Sequence, residues 1–148
     1  MSETVEQTYQ AIGQYVVAFS GLERSLREIA CDMLSLTDDQ SERLMPVLDF
    51  VPVCNICKAE ILSRTADSER RTLLVNLINK AMKTVEDRNR VAHGYWFFIQ
   101  SGPMNVHASR TTLRETGYFH DPNELVEKAK EIQELRDEIW ERFIVEAT

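Results

Sequence analysis

Three side chains able to act at a phosphate ester stand close together in the sequence RNRVAH: Arg88, Asn89 and His93. An imidazole changes its protonation state near neutral pH, so His93 suits the role of a general base or acid. A guanidinium keeps its charge and directs forked donors at phosphate oxygens, which makes Arg88 a candidate for holding such a group. Asn89 could orient either partner through hydrogen bonds. These three residues form the candidate catalytic set.

Four further charged residues surround this set. Arg90 and Lys83 are candidates for substrate binding, but about 200° of helical rotation separates Arg90 from Arg88. Arg90 therefore either attracts a polyanion or pairs with Glu86, four residues earlier. Glu86 and Asp87 are interpreted as groups that anchor or tune the arginines rather than as metal ligands. Neither a metal nor a cofactor is predicted.

The apolar pattern that leads up to the candidate catalytic set predicts a helix capped by Ser68. Gly94 marks its end, because glycine readily takes the left-handed conformation after a last turn. At 100° per residue Arg88 falls about 20° from Ala81, so it prolongs the buried stripe towards a neighbouring helix. His93 lies about 140° round from Arg88 and about 7.5 Å along the axis, so the two side chains diverge within one chain. Two chains related by a two-fold axis would bring them together. The stripe consists of Leu74, Leu77, Ile78, Ala81, Met82 and Val85.

A longer apolar stripe predicts an opening helix of about 30 residues. Its members recur at a mean spacing of about 3.5 residues, the repeat of a helix packed in a bundle. The charged residues between them fall mainly on other faces and are interpreted as a solvated surface. The stripe consists of Val5, Tyr9, Ile12, Val16, Phe19, Leu22, Leu26, Ile29 and Met33.

Capping and breaking residues divide the rest of the chain into helices. TDDQ at Thr37 matches a capping box and predicts a short helix to about Leu48. Prolines interrupt the pattern there, and another short helix is predicted from about Pro52 to Arg64. DPNE at Asp121 combines an N-cap, a proline at the first helical position and a glutamate at the third, and it predicts the last helix. The apolar side of that helix consists of Leu125, Ala129, Ile132, Leu135, Ile139, Phe143 and Ile144, with Trp140 beside it.

Between the last two helices the pattern changes to that of strands. The runs YWFFIQ and VHASRTTL, rich in aromatic and β-branched residues, flank SGPMN and predict a β-hairpin over about 95–113 around a Gly-Pro turn. No linker or internal repeat is visible. Together the elements predict one all-α domain, 1–148: an up-and-down bundle of four to five helices with a small β-hairpin before the last helix.

Composition limits the class of protein. The chain has 148 residues, 43% of them hydrophobic and 28% charged, which suffices for one core without metal or disulfide support. No leader peptide and no apolar run of membrane-spanning length is visible, so we expect a cytoplasmic protein with no membrane partner. A net charge of −7 disfavours non-specific coating of nucleic acid. The segment 58–90, however, carries eight basic and five acidic residues, which allows a local surface that attracts phosphate.

Other residue types that could bind a metal have simpler interpretations. The three cysteines are predicted to be reduced thiols. Cys54 and Cys57 have the CxxC spacing but no second pair, so they are interpreted as small buried residues rather than a zinc or redox site. His107 and His120 have no ligand partners at recognisable spacing and are interpreted as structural or surface residues. The common nucleotide, zinc-protease and serine-hydrolase motifs are absent.

The sequence from Arg88 to His93 resembles the R-N-x-x-A-H signature of the HEPN superfamily. FSGLERSL in the first helix, Gly94 with the aromatic residues behind it, and the capped last helix extend this likeness over nearly the whole chain. The resemblance implies a helical bundle, a homodimer and, in active members, a metal-independent endoribonuclease that leaves 2′,3′-cyclic phosphate ends. In such a site Arg88 would hold the scissile phosphate of an RNA substrate and His93 would move the proton. Toxins of toxin–antitoxin systems carry these domains, so a phage-defence or toxin role and a nucleotidyltransferase-like protein antitoxin are further expectations.

Two other interpretations stay open. In the first, Arg88 and His93 only cap a helix C-terminus, where basic groups meet the negative end of the helix dipole. That accounts for His93 but not for an arginine that continues an apolar stripe. In the second, the chain is a non-catalytic helical module that binds a protein or RNA, such as a regulator similar to the mannitol operon repressor family.

Overall fold

The computed structural model describes residues 3–108 and 115–145, which form five α-helices and a small antiparallel sheet between the last two helices. A 3-10 turn, Met45–Val47, precedes the third helix, and a π-helical turn, Glu141–Val145, follows the fifth. The predicted all-α bundle with a small β element is thus confirmed. The helices are α1 (Glu3–Met33), α2 (Asp38–Leu44), α3 (Phe50–Arg64), α4 (Ser68–His93) and α5 (Pro122–Trp140).

Helix α1 forms the centre of the bundle and packs against α3, α4 and α5. Its predicted length is confirmed, and Leu22, Leu26 and Ile29 are fully buried as the stripe requires. Each such side chain contributes roughly 1.5–3 kcal/mol through the apolar area that it removes from water. Helix α5 packs on α1 and adds Leu125, Ala129, Ile132 and Ile139 to the core, and the π-helical turn after it adds Phe143.

The first half of α1 differs from its predicted packing. Tyr9 and Val16 were expected in the core, but they are 54% and 43% exposed. The reason is tertiary: α3 begins only at Phe50, whose ring lies 5.0 Å from the ring of Phe19, so α3 covers this side of α1 only from there onward. In the uncovered half the buried positions are instead Thr8, Ala11 and Tyr15.

The helix starts follow local capping chemistry closely. The Thr37 side chain accepts the backbone N–H of Gln40, and the Gln40 side chain accepts that of Thr37, so the predicted capping box is confirmed. Asp121 accepts the backbone N–H of Asn123 at the start of α5, also as predicted. At α4 the cap is Asp67 rather than Ser68, because the Asp67 carboxylate reaches the Arg70 backbone N–H at 2.7 Å.

The sheet has three strands where two were predicted. They are β1 (Tyr95–Ile99), β2 (Gly102–Ala108) and β3 (Glu115–Tyr118), in the order β1-β2-β3. The chain reverses at Gln100 and Ser101, so Gly102 and Pro103 lie in β2 and not in the turn. Residues 109–113 of the predicted second strand lie outside the described part of the chain. Strand β3, with the sequence ETGY, has the low strand propensity of glycine and glutamate, and it was missed for that reason.

The sheet lies at the end of the bundle where α4 stops. Strand β2 contacts both α4 and α1. On the inner face of β1, Trp96 stacks on Phe119 with the rings 6.4 Å apart, and the Phe98 ring meets Tyr9 at 5.8 Å. The sheet therefore supports the last turn of α4, which carries the candidate catalytic set. None of the described helices combines the length and apolar composition needed to cross a bilayer.

Cys54 and Cys57 are both fully buried on α3, which agrees with their interpretation as small core residues. Burial raises the pKa of each thiol to about 12. Because only a thiolate attacks an aromatic disulfide reagent, we expect one fast-reacting thiol in the native protein at mildly alkaline pH, that of the partly exposed Cys31. All three should react after unfolding in guanidinium chloride. Cys31→Ser should remove the fast phase, and fast reaction of a second native thiol would contradict the expectation.

Candidate functional site

Arg88 lies against α1 at the edge of the core. Its guanidinium carbon is 5.0 Å from the ring centroid of Phe19, a cation–π contact, and the side chain is half-buried. Its Nε is buried, and no group within the described residues accepts a hydrogen bond from it. The structure thus holds a guanidinium in one place through packing, without neutralising it through a carboxylate of the described chain.

Arg90 has different surroundings from Arg88. Its guanidinium forms ion pairs with Asp87, at 3.2 Å, and with Glu86, at 3.5 Å. The same group lies 3.9 Å above the ring centroid of Tyr118 in β3. Of the two interpretations of Arg90, pairing with Glu86 is therefore present in the structure. Arg90 is directed away from Arg88 and ties α4 to the sheet.

Asp87 anchors the end of α4 to α5. One carboxylate oxygen accepts from Arg90 and the other accepts from Lys128 at 2.8 Å. The buried hydroxyl of Tyr15 is also close by and donates to the Thr84 carbonyl at 3.4 Å. Burial raises the pKa of Tyr15, and the negative charge of Asp87 raises it further, whereas the Arg88 charge lowers it. Tyr15 therefore stays a neutral donor, and Asp87 serves as a structural anchor for Arg90 rather than for Arg88.

His93 is the final residue of α4 and its side chain is exposed. Asn89 is half-buried on the same helix, and Lys83 is exposed two turns earlier. Because α4 stays helical through His93, the axial step from Arg88 of about 7.5 Å and the rotation of about 140° hold in the structure. One copy of the chain therefore keeps the guanidinium and the imidazole on different sides of the helix.

Side chains from the sheet donate hydrogen bonds to backbone carbonyls in the last turn of α4. The Asn105 side-chain amide donates to the Arg90 carbonyl at 3.0 Å, and the Trp96 indole donates to the Val91 carbonyl at 3.2 Å. Gly94 was expected in the left-handed region, but its φ of −77° and ψ of 158° are extended. Glycine is needed there for space, because a Cβ would lie 2.5 Å from the Asn105 amide nitrogen and would also clash with the Arg90 carbonyl.

We expect Gly94→Ala to lower the free energy of unfolding by roughly 1–3 kcal/mol, the usual cost of forcing extra atoms into a packed site. Gly13→Ala is the matched control. Gly13 is an exposed residue of α1, and no atom lies within 4 Å of the Cβ that alanine would add. That change should stabilise the protein by roughly 0.5–1 kcal/mol through helix propensity. Urea unfolding measures both. An unchanged midpoint for Gly94→Ala would show that the contact with Asn105 is loose.

A cavity of about 410 Å³ opens between α4, α5 and Tyr15, on the other side of Asp87 from the sheet. Its carboxylates outnumber its amines, so it repels a polyanion. Arg88 and His93 do not line it. A phosphate is therefore not expected in this cavity. The charged lining residues are Asp87, Glu131, Glu134, Glu138, Lys80 and Lys128.

In the described part of the chain no cluster of three or more histidine, cysteine or acidic residues is arranged to hold a metal ion.

Comparison of the chain with protein-family models, with curated protein sequences and with solved structures finds no match. The likeness to the HEPN signature therefore rests on the residues of this sequence alone.

Several residues of the site were not predicted. Asn105, Tyr118 and Lys128 are 15 to 41 residues away from their partners on α4 and reach them only through the fold. Phe19 was expected in the core, but its contact with Arg88 was not. One signal was present: Trp96 and Asn105 carry an indole donor and an amide donor, and both follow closely on a helix end whose carbonyls lack partners.

Proposed function

We propose that the protein is a metal-independent endoribonuclease with a composite active site formed by two copies of the chain. The observation that carries this proposal is the difference between the two arginines of the candidate set. Arg90 is paired with two carboxylates, whereas Arg88 has no ion pair among the described residues and keeps a buried, unpartnered Nε. A fixed guanidinium without a counter-ion is suited to a phosphate.

The chemistry uses the substrate's own 2′-hydroxyl as the nucleophile. His93 removes the hydroxyl proton, the 2′-oxygen bonds to the adjacent phosphorus, and the bond from phosphorus to the 5′-oxygen breaks. The products are a 2′,3′-cyclic phosphate and a 5′-hydroxyl, whose oxygen takes the proton that His93 removed from the 2′-hydroxyl. Arg88 offsets the charge that develops on the phosphate oxygens, and Asn89 orients the reacting groups. Every step uses groups that the chain and the RNA supply.

A second copy of the chain can bring an arginine and a histidine together, although Arg88 and His93 of one chain point in different directions. In an isologous dimer, His93 of one chain can approach Arg88 of the other, so each of two sites receives one residue from each chain. The exposed Tyr9 and Val16 on α1, with Phe98 beside Tyr9, provide an apolar surface at the same end of the bundle. Such a surface is typical of a protein contact.

The biological setting that fits this activity is a toxin of a toxin–antitoxin or phage-defence system. A nucleotidyltransferase-like protein antitoxin would then be the natural partner. The support for this part is the resemblance of the Arg88 to His93 sequence to the HEPN signature. Co-expression of the protein with the product of a neighbouring gene of that kind, with rescue of cell growth, would test it.

A non-catalytic binding module is the second candidate function. It is favoured by the network of Asp87, Arg90, Tyr118 and Lys128, which gives the charged cluster a structural task in joining α4 to the sheet and to α5. In that case Arg88 is a packing residue, and the partner binds the exposed apolar surface.

A denaturing gel separates the two candidates. Purified protein is incubated with mixed-sequence RNA in excess EDTA, beside the His93→Ala variant. The endoribonuclease gives fragments that end in a cyclic phosphate, recognised by their resistance to phosphatase until acid opens the ring. Intact RNA in both lanes, with bound RNA in a filter assay, would instead identify a binding module.

A further inference from the structure

The outer face of β1 carries two exposed aromatic rings directly after the candidate catalytic histidine. Tyr95 is 76% exposed and Phe97 is 49% exposed. Their ring centroids are 6.4 Å apart and the ring planes differ by 30°. Because side chains alternate along a strand, these rings point away from the inner face that Trp96 and Phe98 occupy. The fold leaves two adjacent π-faces open to solvent.

Each ring has a cross-strand neighbour in β2. In the strand register Tyr95 lies opposite Val106 and Phe97 lies opposite Met104, both half-buried in β2. Cross-strand neighbours of this kind restrict the rotamers of an aromatic side chain. The two rings thus form a platform, defined here as Tyr95 and Phe97, that needs little ordering before a ligand binds.

The stretch of sequence that contains the platform carries no carboxylate. From Val91 to Arg114 the sequence has no acidic residue, although the whole chain carries a net charge of −7. Two arginines and two histidines stand in that segment. A stretch without carboxylates does not repel a phosphodiester backbone, whereas the acidic surface expected elsewhere on the chain does.

The platform is also close to the candidate site. Only Gly94 stands between His93 and Tyr95 in the sequence, so their Cα atoms are at most about 7 Å apart. A nucleotide next to a phosphate that His93 reaches could therefore place its base on Tyr95. The next base along the strand could stack on Phe97.

We propose that Tyr95 and Phe97 form a stacking platform that binds two neighbouring unpaired bases of single-stranded RNA beside His93. The proposal rests on the proposed ribonuclease function and adds the class of substrate: single-stranded RNA with splayed bases. Bases in a duplex are already stacked on each other, so the platform discriminates against double-stranded RNA. It binds with little sequence preference, because every base has a π-face.

The test measures binding by fluorescence anisotropy, with the full chain carrying His93→Ala so that RNA stays intact. The probe is a fluorescein-labelled oligouridylate of about twelve nucleotides, compared with the same strand annealed to oligoadenylate. Tyr95→Ala and Phe97→Ala are each expected to weaken binding of the single strand by roughly 5- to 100-fold. The duplex should bind at least about ten times more weakly than the single strand.

Matched variants separate stacking from other causes. Phe97→Leu keeps the apolar area but removes the π-face, so it should weaken binding as much as Phe97→Ala. Tyr95→Phe keeps the ring and should retain most of the affinity. Leu62→Ala removes an apolar side chain that is 58% exposed on α3, far from the sheet, and should change nothing. Thermal unfolding should be the same for all five variants, because the altered residues are on the surface.

Each outcome decides a separate question. If binding depends on the rings but the protein with His93 intact never cuts RNA, the platform stands and the ribonuclease does not. If RNA is cut while Tyr95→Ala and Phe97→Ala change neither affinity nor KM, the platform is refuted and the ribonuclease stands. Equal affinity for single strand and duplex refutes the platform as well. So does a change of oligomeric state in the two alanine variants with unchanged RNA binding, which would mark this face as a protein contact.

Discussion

Replacing His93 with alanine is expected to slow RNA cleavage by about 10²- to 10⁴-fold, the contribution of a well-positioned proton-transfer group. His93 is exposed at the last residue of α4, so the change removes the imidazole without removing a core contact. Arg88→Met should cause a loss of similar size. Methionine can still pack on Phe19 but has no charge to offer a phosphate. Single-turnover cleavage of an end-labelled RNA measures both rates.

Controls for this prediction use the same helix. Arg88→Lys keeps the charge but not the forked donors, and we expect it to recover only a small part of the activity. Lys83→Ala removes an exposed cation two turns away, and its effect should be confined to a moderate rise in KM if it attracts substrate. A His93→Ala protein that cuts RNA within about ten-fold of the original rate would refute the assigned chemistry.

Mixing the two inactive variants is expected to restore activity. In a dimer that contains one Arg88→Met chain and one His93→Ala chain, one composite site has both substitutions and the other has neither. Random exchange places half of the molecules in such mixed dimers, so about a quarter of the original activity should return. The expected change is thus a rise of more than ten-fold over either variant alone, caused only by exchange of subunits.

The mixing experiment also distinguishes the composite site from a site formed within one chain. If each chain used its own Arg88 and His93, every site in the mixture would lack one group and no activity would return. The two variants are unfolded and refolded together, or co-expressed with different tags, so that exchange is complete. A protein that sediments as a monomer at the assay concentration would contradict the dimer directly.

Features that depend on neighbouring residues in the sequence were predicted well. The capping box at Thr37 and the cap at Asp121 depend on contacts over two or three residues, and both are present. The length of α1 and the buried half of its stripe follow from a regular apolar spacing. These signals are local, so tertiary structure has little opportunity to override them.

Features that depend on distant contacts were predicted poorly. Tyr9 and Val16 fit the apolar spacing of α1 but are exposed, because α3 starts too late to cover them. Gly94 was assigned the usual backbone role of glycine, whereas its need for space comes from Asn105 in another element. Strand β3 is formed by pairing with β2 rather than by its own propensity. No property of a single segment encodes such relationships.

The candidate catalytic set was predicted in part, because some of its contacts are local and others are distant. The expectation that Arg88 continues the apolar face of its helix agrees with its contact with Phe19, because a helical wheel relates residues within one segment. The spacing of four residues suggested Glu86 as a partner of Arg90, but Asp87 could not be assigned to a particular arginine from the wheel alone. Tyr118 and Lys128 decide that assignment, since they draw Arg90 and Asp87 towards the sheet and α5.

The donors from Asn105 and Trp96 affect the motion of the last turn of α4. Helix ends commonly fray, and their amide hydrogens exchange with solvent nearly as fast as in an unfolded chain. Here two side chains from the sheet hold the carbonyls of Arg90 and Val91, so opening this turn also requires the sheet to detach. Slow deuterium uptake should therefore extend to the end of the helix. A ligand that arrives at His93 would then lose little affinity to the entropy of ordering the backbone beneath it.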